Sequence, residues 1–250
     1  MELQGKVALI TGGATGLGRE VGLLLAREGC HVAINYVPAV REAAEATRAE
    51  VAGLGVKAIA VEADVTDGAQ VERMAREVAE RLGPVDILIC SAGVTVHVPF
   101  PDLQGVSEAD WDRVMAVNVK GAFLCARAVV PMMRERGEGR IINVASSAGL
   151  TPSGSSIPYA VSKGSMITLT KCLAKALAPD EILVNAVAPS MMRTGWWSEV
   201  SEERLRQQEQ GLPLKRAARV EDVADGIMYM IKGDSVTGHT LAVDGGVSMY

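Results

Sequence analysis

Lys6-Val-Ala-Leu-Ile-Thr-Gly-Gly-Ala-Thr-Gly-Leu-Gly18 decides the fold. Val7 to Ile10 is a short apolar run, as expected of a strand buried on both faces. Gly12, Gly16 and Gly18 follow at once. Arg19 to Glu28 then reads as a helix, with Val21, Leu24 and Leu25 on its apolar face and Gly29 as its stop. Strand, glycine turn and helix together give a glycine motif its meaning. Such a turn brings the backbone close to a pyrophosphate, whose charge then sits at the positive end of the helix. The alternative is a glycine-rich turn with no ligand.

The same alternation continues outward. Apolar runs at Val32–Tyr36, Ala58–Glu62, Ile87–Cys90, Ile141–Ala145, Leu183–Val187 and His239–Val243 read as strands. Helical patterns at Val40–Leu54, Gly68–Leu82, Glu108–Arg136, Ser156–Leu177 and Val220–Ile231 separate them. Strands joined by helices imply right-handed crossovers and a parallel sheet covered on both faces. The expectation is an α/β, Rossmann-like, doubly wound sheet of seven strands. With no repeat or linker to divide it, residues 1–250 read as one domain.

A second pattern carries chemistry. Tyr159 and Lys163 stand four apart in Tyr-Ala-Val-Ser-Lys, which on a helix puts a phenol and an ammonium on one face. A nearby cation favours the phenolate, so such a tyrosine exchanges a proton with an alcohol or ketone near neutral pH. Ser146 adds a hydroxyl to hold the substrate oxygen, with Ser147 as its rival. A lone pair of this spacing is most often a surface helix pair; the glycine motif upstream raises its weight.

Composition excludes some classes. The formal charge of −5 argues against nucleic acid or an anionic membrane surface as partner. No apolar stretch reads as long enough to span a bilayer, and strand one follows Met1 too closely for a signal peptide; a cytoplasmic protein is expected. Cys30, Cys90, Cys125 and Cys172 are scattered singly, as buried reduced thiols are. His31, His97 and His239 lack ligand spacing, so no metal site is expected.

These motifs resemble those of the short-chain dehydrogenases/reductases, over essentially the whole chain. The family's glycine motif corresponds to Thr11 to Gly18, its Asp-Val to Asp64-Val65, and its helix asparagine to Asn118 in Val-Asn-Val-Lys-Gly. Its serine stands as Ser146 and its Tyr-x-x-x-Lys as Tyr159 to Lys163. Val184-Asn-Ala-Val-Ala-Pro189 and Val243-Asp-Gly-Gly246 are further signatures. The resemblance implies a catalytic set of Asn118, Ser146, Tyr159 and Lys163, in which Lys163 lowers the Tyr159 pKa and Asn118 organises a water path. It implies cofactor contacts from Gly12, Thr15, Gly16, Leu17, Gly18, Asn35, Tyr36, Asp64, Val65, Ser91, Ala92, Gly93, Tyr159, Lys163, Pro189 and Thr194. It also implies a lid over nicotinamide and substrate around residues 190–214, where Trp196 and Trp197 would cover an apolar substrate, anchor helix packing or make a subunit contact. Val94 to Ser107, with Pro99, Pro101 and Gly105, would form another wall.

Three departures from the family pattern concern loop geometry. Cys90-Ser91-Ala92-Gly93 replaces the usual Asn-Ala-Gly, so Ser91 is shorter than asparagine. Ser190 replaces a glycine, so a positive φ there would be strained. Asp180-Glu181 occupies a join where a glycine is usual.

The resemblance implies a nicotinamide dinucleotide as cofactor. An acidic residue at the end of strand two would bind the ribose hydroxyls of NAD and repel a 2′-phosphate. Tyr36 stands at that position with no carboxylate in the local sequence, which favours NADP(H) over NAD(H). Thr15 is not the arginine common in NADP-using relatives, and Arg41 is the nearest later cation. Use of both cofactors stays open.

The expected reaction moves a hydride between nicotinamide and a carbonyl or secondary alcohol, first of all a 3-oxoacyl thioester. Arg127, Arg134, Arg136 and Arg140 could receive an acidic carrier protein or be a solvated face. Sugar or alcohol dehydrogenation, epimerisation or dehydration on the same fold, and a non-catalytic nucleotide-binding scaffold are the alternatives. The resemblance further implies a homotetramer, with the Glu108–Arg136 and Ser156–Leu177 helices as interface.

Overall fold

The computed structural model describes residues 1–195 and 200–249. Among them the elements alternate as β1 (Val7–Thr11), α1 (Gly16–Arg27), β2 (His31–Tyr36), α2 (Arg41–Ala52), β3 (Ala58–Glu62), α3 (Gly68–Arg81) and β4 (Ile87–Cys90). There follow α4 (Glu108–Met115), α5 (Ala122–Arg136), β5 (Gly139–Val144), α6 (Ile157–Leu177), β6 (Ile182–Pro189), α7 (Glu202–Gln210), α8 (Val220–Lys232) and β7 (Thr240–Val243). The strands form one parallel sheet in the order β3-β2-β1-β4-β5-β6-β7. This is the doubly wound α/β arrangement read from the sequence.

Alternation of side chains along each strand feeds two cores. Leu9, Ala33, Leu88, Ile141 and Val184 face α3, α5 and α6, where Met74, Val129 and Met166 meet them. Ala8, Ile10, Ile34, Ile87 and Ile142 face the other way, onto Val21, Leu25, Val51 and Ile227 of α1, α2 and α8. Burial on both faces explains why the strands read as continuous apolar runs.

After β3 the chain returns past β1 to lay down β4 on the opposite side. The order reverses between β1 and β4, and the crevice beyond their C-terminal ends is where doubly wound sheets take ligands. The glycine turn follows β1, and Ser91–Gly93 follows β4, so both line that crevice.

Four differences from the sequence reading have local causes. Helix α1 begins at Gly16, because the glycine turn itself winds into the first turn. The Glu108–Arg136 helix is continuous, but Ala116–Gly121 is a π-helical segment. That helix is also long and apolar enough to cross a membrane, contrary to the sequence reading; its Val114, Leu124, Val129 and Met133 are buried inside the protein. Ser190 does not adopt a positive φ, whereas Glu181 does, at 57°. The expected strain is therefore at the join before β6 rather than after it. Trp196 and Trp197 lie outside the described residues.

Candidate active site

The glycine turn is shaped for close approach. Gly12 has φ +64°, and a β-carbon there would lie 2.9 Å from the Ala92 backbone. At Gly18 a β-carbon would lie 2.5 Å from the Gly12 carbonyl oxygen. Thr15 is the N-cap of α1 and makes no side-chain capping bond. The first amides of the helix, which have no intrahelical acceptor, thus remain available with the helix's partial positive charge. Gly16, Leu17 and Gly18 supply that turn, with Leu17 buried below it. This arrangement fits a pyrophosphate. Across the crevice, Thr194 stands 3.7 Å from where a Gly16 β-carbon would project, so the segment after β6 crosses the glycine turn.

Thr11, absent from the residues picked out by sequence, holds the two sides together. Its Oγ1 accepts from the amides of Ser91 and Ala92, both at 3.1 Å. The signal was present in the quoted motif, where Thr11 stands at the last position of β1. Ser91, Ala92 and Gly93 are half-buried beside the turn, and the short Ser91 side chain leaves Thr11 to fix the loop.

The adenosine end lies over β2 and β3. Asn35 is buried and donates to the Ala63 carbonyl at 2.9 Å, while its own carbonyl receives the Gly13 amide at 3.3 Å. It therefore braces the wall behind the crevice. Asp64 Oδ1 accepts from both the amide and the hydroxyl of Thr66 at 2.8 Å, and Val65 is buried against Gly121. Tyr36 is only 6% exposed. Arg41 lies over its ring at 5.6 Å from the centroid and hydrogen-bonds Glu62. Glu62 is paired in register with Tyr36. The local sequence at β2 offers no carboxylate, but the neighbouring strand brings one, a non-local contact that a reading along the chain misses.

The reactive side chains converge at the ends of β5 and β6. Ser146 follows β5 and caps the turn Ser147–Gly149, accepting from the Ala148 amide at 3.2 Å. Its hydroxyl also reaches the Pro189 carbonyl at 3.4 Å. Tyr159 is hydrogen-bonded to Ser146; Ser147 is buried alongside. Lys163, one turn on along α6, is 5% exposed. Its Nζ donates to the Val144 carbonyl at 2.7 Å and lies 5.6 Å from the Tyr159 ring centroid.

The electrostatics differ from expectation. Burial raises the Tyr159 pKa above its usual value, and the Ser146 hydrogen bond offsets this only in part. Burial pushes Lys163 down to about 8. The ammonium donates to a backbone carbonyl and faces the ring, and burial is the largest influence on both groups.

Asn118 sits in the π-helical segment, 1% exposed. Its Oδ1 accepts from the Val94 amide at 2.8 Å, and its Nδ2 donates to the Val94 carbonyl at 3.0 Å and to Ser162 Oγ at 2.9 Å. Ser162 in turn donates to the Tyr159 carbonyl at 2.7 Å. Asn118 thus ties the loop after β4 to the helix bearing Tyr159 and Lys163. Ser162, another residue not picked out by sequence, lies inside Tyr-Ala-Val-Ser-Lys and occupies the helix face towards Asn118. A π-helical turn at such a point is frequent in functional sites.

A doubly wound parallel sheet with a glycine cradle at its switch point and a Ser-Tyr-Lys cluster across the crevice defines a nicotinamide-dependent oxidoreductase. The chain belongs to the short chain dehydrogenase family, whose model matches residues 6–205. It is 36% identical over 246 residues to the 3-oxoacyl-[acyl-carrier-protein] reductase FabG of Staphylococcus epidermidis, covering 98% of this chain and 99% of that one. It is also 36% identical to the (2S)-[(R)-hydroxy(phenyl)methyl]succinyl-CoA dehydrogenase subunit BbsD of Thauera aromatica, covering 100% and 99%. The solved 3-ketoacyl-(acyl-carrier-protein) reductase of Brucella melitensis, complexed with NADH, superposes with a TM-score of 0.89 at 31% identity, covering 99% and 100%. The chain accordingly transfers a hydride between a nicotinamide cofactor and a carbonyl or secondary alcohol.

Proposed function

We propose that this protein reduces 3-oxoacyl thioesters with NADPH, as one domain with its lid at residues 190–214. The observation that carries the reading is the convergence of Ser146, Tyr159 and buried Lys163 at the ends of β5 and β6, with Lys163 Nζ 5.6 Å from the Tyr159 ring centroid. The bound nicotinamide supplies the hydride to the keto carbon. Ser146 donates to the keto oxygen and fixes it against Tyr159. Tyr159 gives its proton to that oxygen as negative charge develops there, leaving a secondary alcohol. Tyr159 is protonated near neutral pH, the form that can donate. Lys163 stabilises the phenolate left behind and offers Nζ to the ribose. Asn118 holds loop and helix at the spacing this requires.

The carrier is best read as coenzyme A-sized. Arg127 pairs with Glu72 at 3.8 Å, Arg134 with Asp180 at 2.8 Å and Arg136 with Asp86 at 3.3 Å, and buried Arg140 pairs with Asp234. Each of these arginines has a carboxylate beside it, which lowers the net positive charge that an acidic carrier protein would meet. The relative named as a (2S)-[(R)-hydroxy(phenyl)methyl]succinyl-CoA dehydrogenase subunit supports a coenzyme A thioester, while the relative named FabG supports a carrier-protein one.

NADPH is favoured because Arg41 can leave exposed Glu62 for a 2′-phosphate. Three buried thiols, Cys30, Cys90 and Cys125, suit a cytoplasmic setting. Exposed Trp111, Phe123 and Val161 on α4, α5 and α6 support a homotetramer joined through those helices. The test is reduction of acetoacetyl-CoA followed by nicotinamide absorbance, with NADPH and NADH compared. Tyr159→Phe should lose at least about a thousandfold in kcat while the NADPH Kd stays unchanged. Full turnover in that variant, or no turnover by the parent, rejects the reading.

A further inference from the structure

The segment after β6 and the lid helix meet at one arginine. Arg193 Nε donates to Glu209 Oε1 at 2.8 Å and Nη2 to Glu209 Oε2 at 2.9 Å, a two-pronged pairing. Its Nη1 donates to Glu202 Oε2 at 2.9 Å. One guanidinium thus grips both ends of α7. Little else holds that helix: Leu205 is its one buried residue. Glu209 Oε1 also accepts from the Ala217 amide at 3.4 Å. Ala218 donates to the Met191 carbonyl at 2.9 Å, and Met192 bridges Ala218. Arg193 and Glu209 therefore close a ring made of the crossing segment, α7 and the return to α8. Isolated surface ion pairs contribute little, but bidentate geometry within a network is the exception.

The next residue gives the ring its role. Thr194 lies over the glycine turn at Gly16. A ligand that contacts the turn and Thr194 orders the segment carrying Arg193, and through it α7. We propose that Arg193 and Glu209 form a latch that couples occupancy of the cofactor's pyrophosphate site to the position of the lid helix, making Arg193 a positioning residue for the reaction. This rests on reading the crevice as the nicotinamide dinucleotide site. The coupling is reciprocal by linkage: whatever cofactor binding adds to lid order, the latch returns as cofactor affinity. Lysine would keep the charge but lose the fork.

Trypsin reads the lid directly, because α7 contains Arg204 and Arg206. With the parent, saturating NADPH should slow cleavage in α7 at least about tenfold. In Arg193→Met, cleavage without NADPH should be faster and protection should fall below about threefold. The NADPH Kd, read by nicotinamide fluorescence, should rise by about the factor of protection lost. Arg193→Lys should be intermediate, and Arg193→Met with Glu209→Gln no worse than either alone, as expected of one interaction. If Arg193→Met does not fold by circular dichroism, the Lys and Gln variants carry the comparison. Undiminished protection in the variants overturns the latch, as does NADPH binding to the parent without slower cleavage. A parent that binds neither NADPH nor NADH overturns the nicotinamide reading itself, by a separate measurement; one that binds only NADH is tested for the latch with NADH.

Discussion

Replacing Lys163 by methionine should change how the stability of the cofactor-free protein depends on pH. Lys163 is buried with the Val144 carbonyl as its hydrogen-bond acceptor, and its pKa falls from 10.5 to about 8. The unfolded lysine holds its proton to about 10.5, while the folded one releases it near 8. Between those values the unfolded chain binds more protons, so this group makes stability rise with pH. Below pH 8 the folded protein bears the full cost of a buried charge. From pH 7 to pH 9 the parent should gain about 1.3 kcal/mol over Lys163→Met, roughly tenfold in the unfolding constant. The parent's own profile would mislead. Burial raises Cys30 and Cys125 to about 12 and pushes Cys90 up, so these thiols lose stability as pH climbs past 9. Tyr159, raised as well, acts in the same sense above 10. These contributions cancel in the difference between the two proteins. The unpartnered Val144 carbonyl in the variant adds an offset that does not vary with pH. The assay is urea unfolding at intervals from pH 7 to 9, followed by circular dichroism. Parallel profiles, or a gap that moves the other way, would refute the burial argument.

Other substitutions test separate contacts. Glu181→Gly should stabilise by about 1 kcal/mol, because Glu181 holds φ 57° at a position glycine takes without strain; a lower Tm would count against it. Asn118→Ala should lose about 2 kcal/mol in urea unfolding, since it strands both polar groups of Val94; a loss under about 0.5 kcal/mol would mean that the loop repacks. Glu62→Gln should release Arg41 and tighten NADPH about three- to fivefold with NADH unchanged; equal effects on both would remove Arg41 from 2′-phosphate selection.

The fold was legible because its signals are local. Each strand is buried on both faces and reads as an uninterrupted apolar run, and each helix shows its face and stop within its own span. The glycine turn was legible for the same reason: Gly12 needs its positive φ whatever lies elsewhere. The π-helical turn at Asn118 was not, since the Val94 loop and Ser162 that it serves come from distant parts of the chain. Glu62 beside Tyr36 was missed likewise, because a neighbouring strand delivers it.

The Tyr159–Lys163 pair shows where local reading stops. Spacing on a helix correctly places the ammonium near the phenol, yet charge proximity is only one influence on a pKa. Burial acts oppositely on the two groups, raising the phenol and lowering the ammonium. Depth is set by β5, the Ser147–Gly149 turn and the packing of α6, none of which is encoded in Tyr-x-x-x-Lys. Lys163 donates to the Val144 carbonyl, and Tyr159 lies beside Ser146. Such a pair holds a protonated tyrosine against the substrate oxygen while its lysine carries the cost of desolvation. A cofactor ribose that gave Lys163 new acceptors would favour its charged form and extend the ammonium's influence on Tyr159 to higher pH. The same coupling predicts that NADPH binding raises the Lys163 pKa and takes up protons near pH 8. Calorimetry in two buffers of different ionisation enthalpy would register that uptake, and its absence in Lys163→Met would assign it.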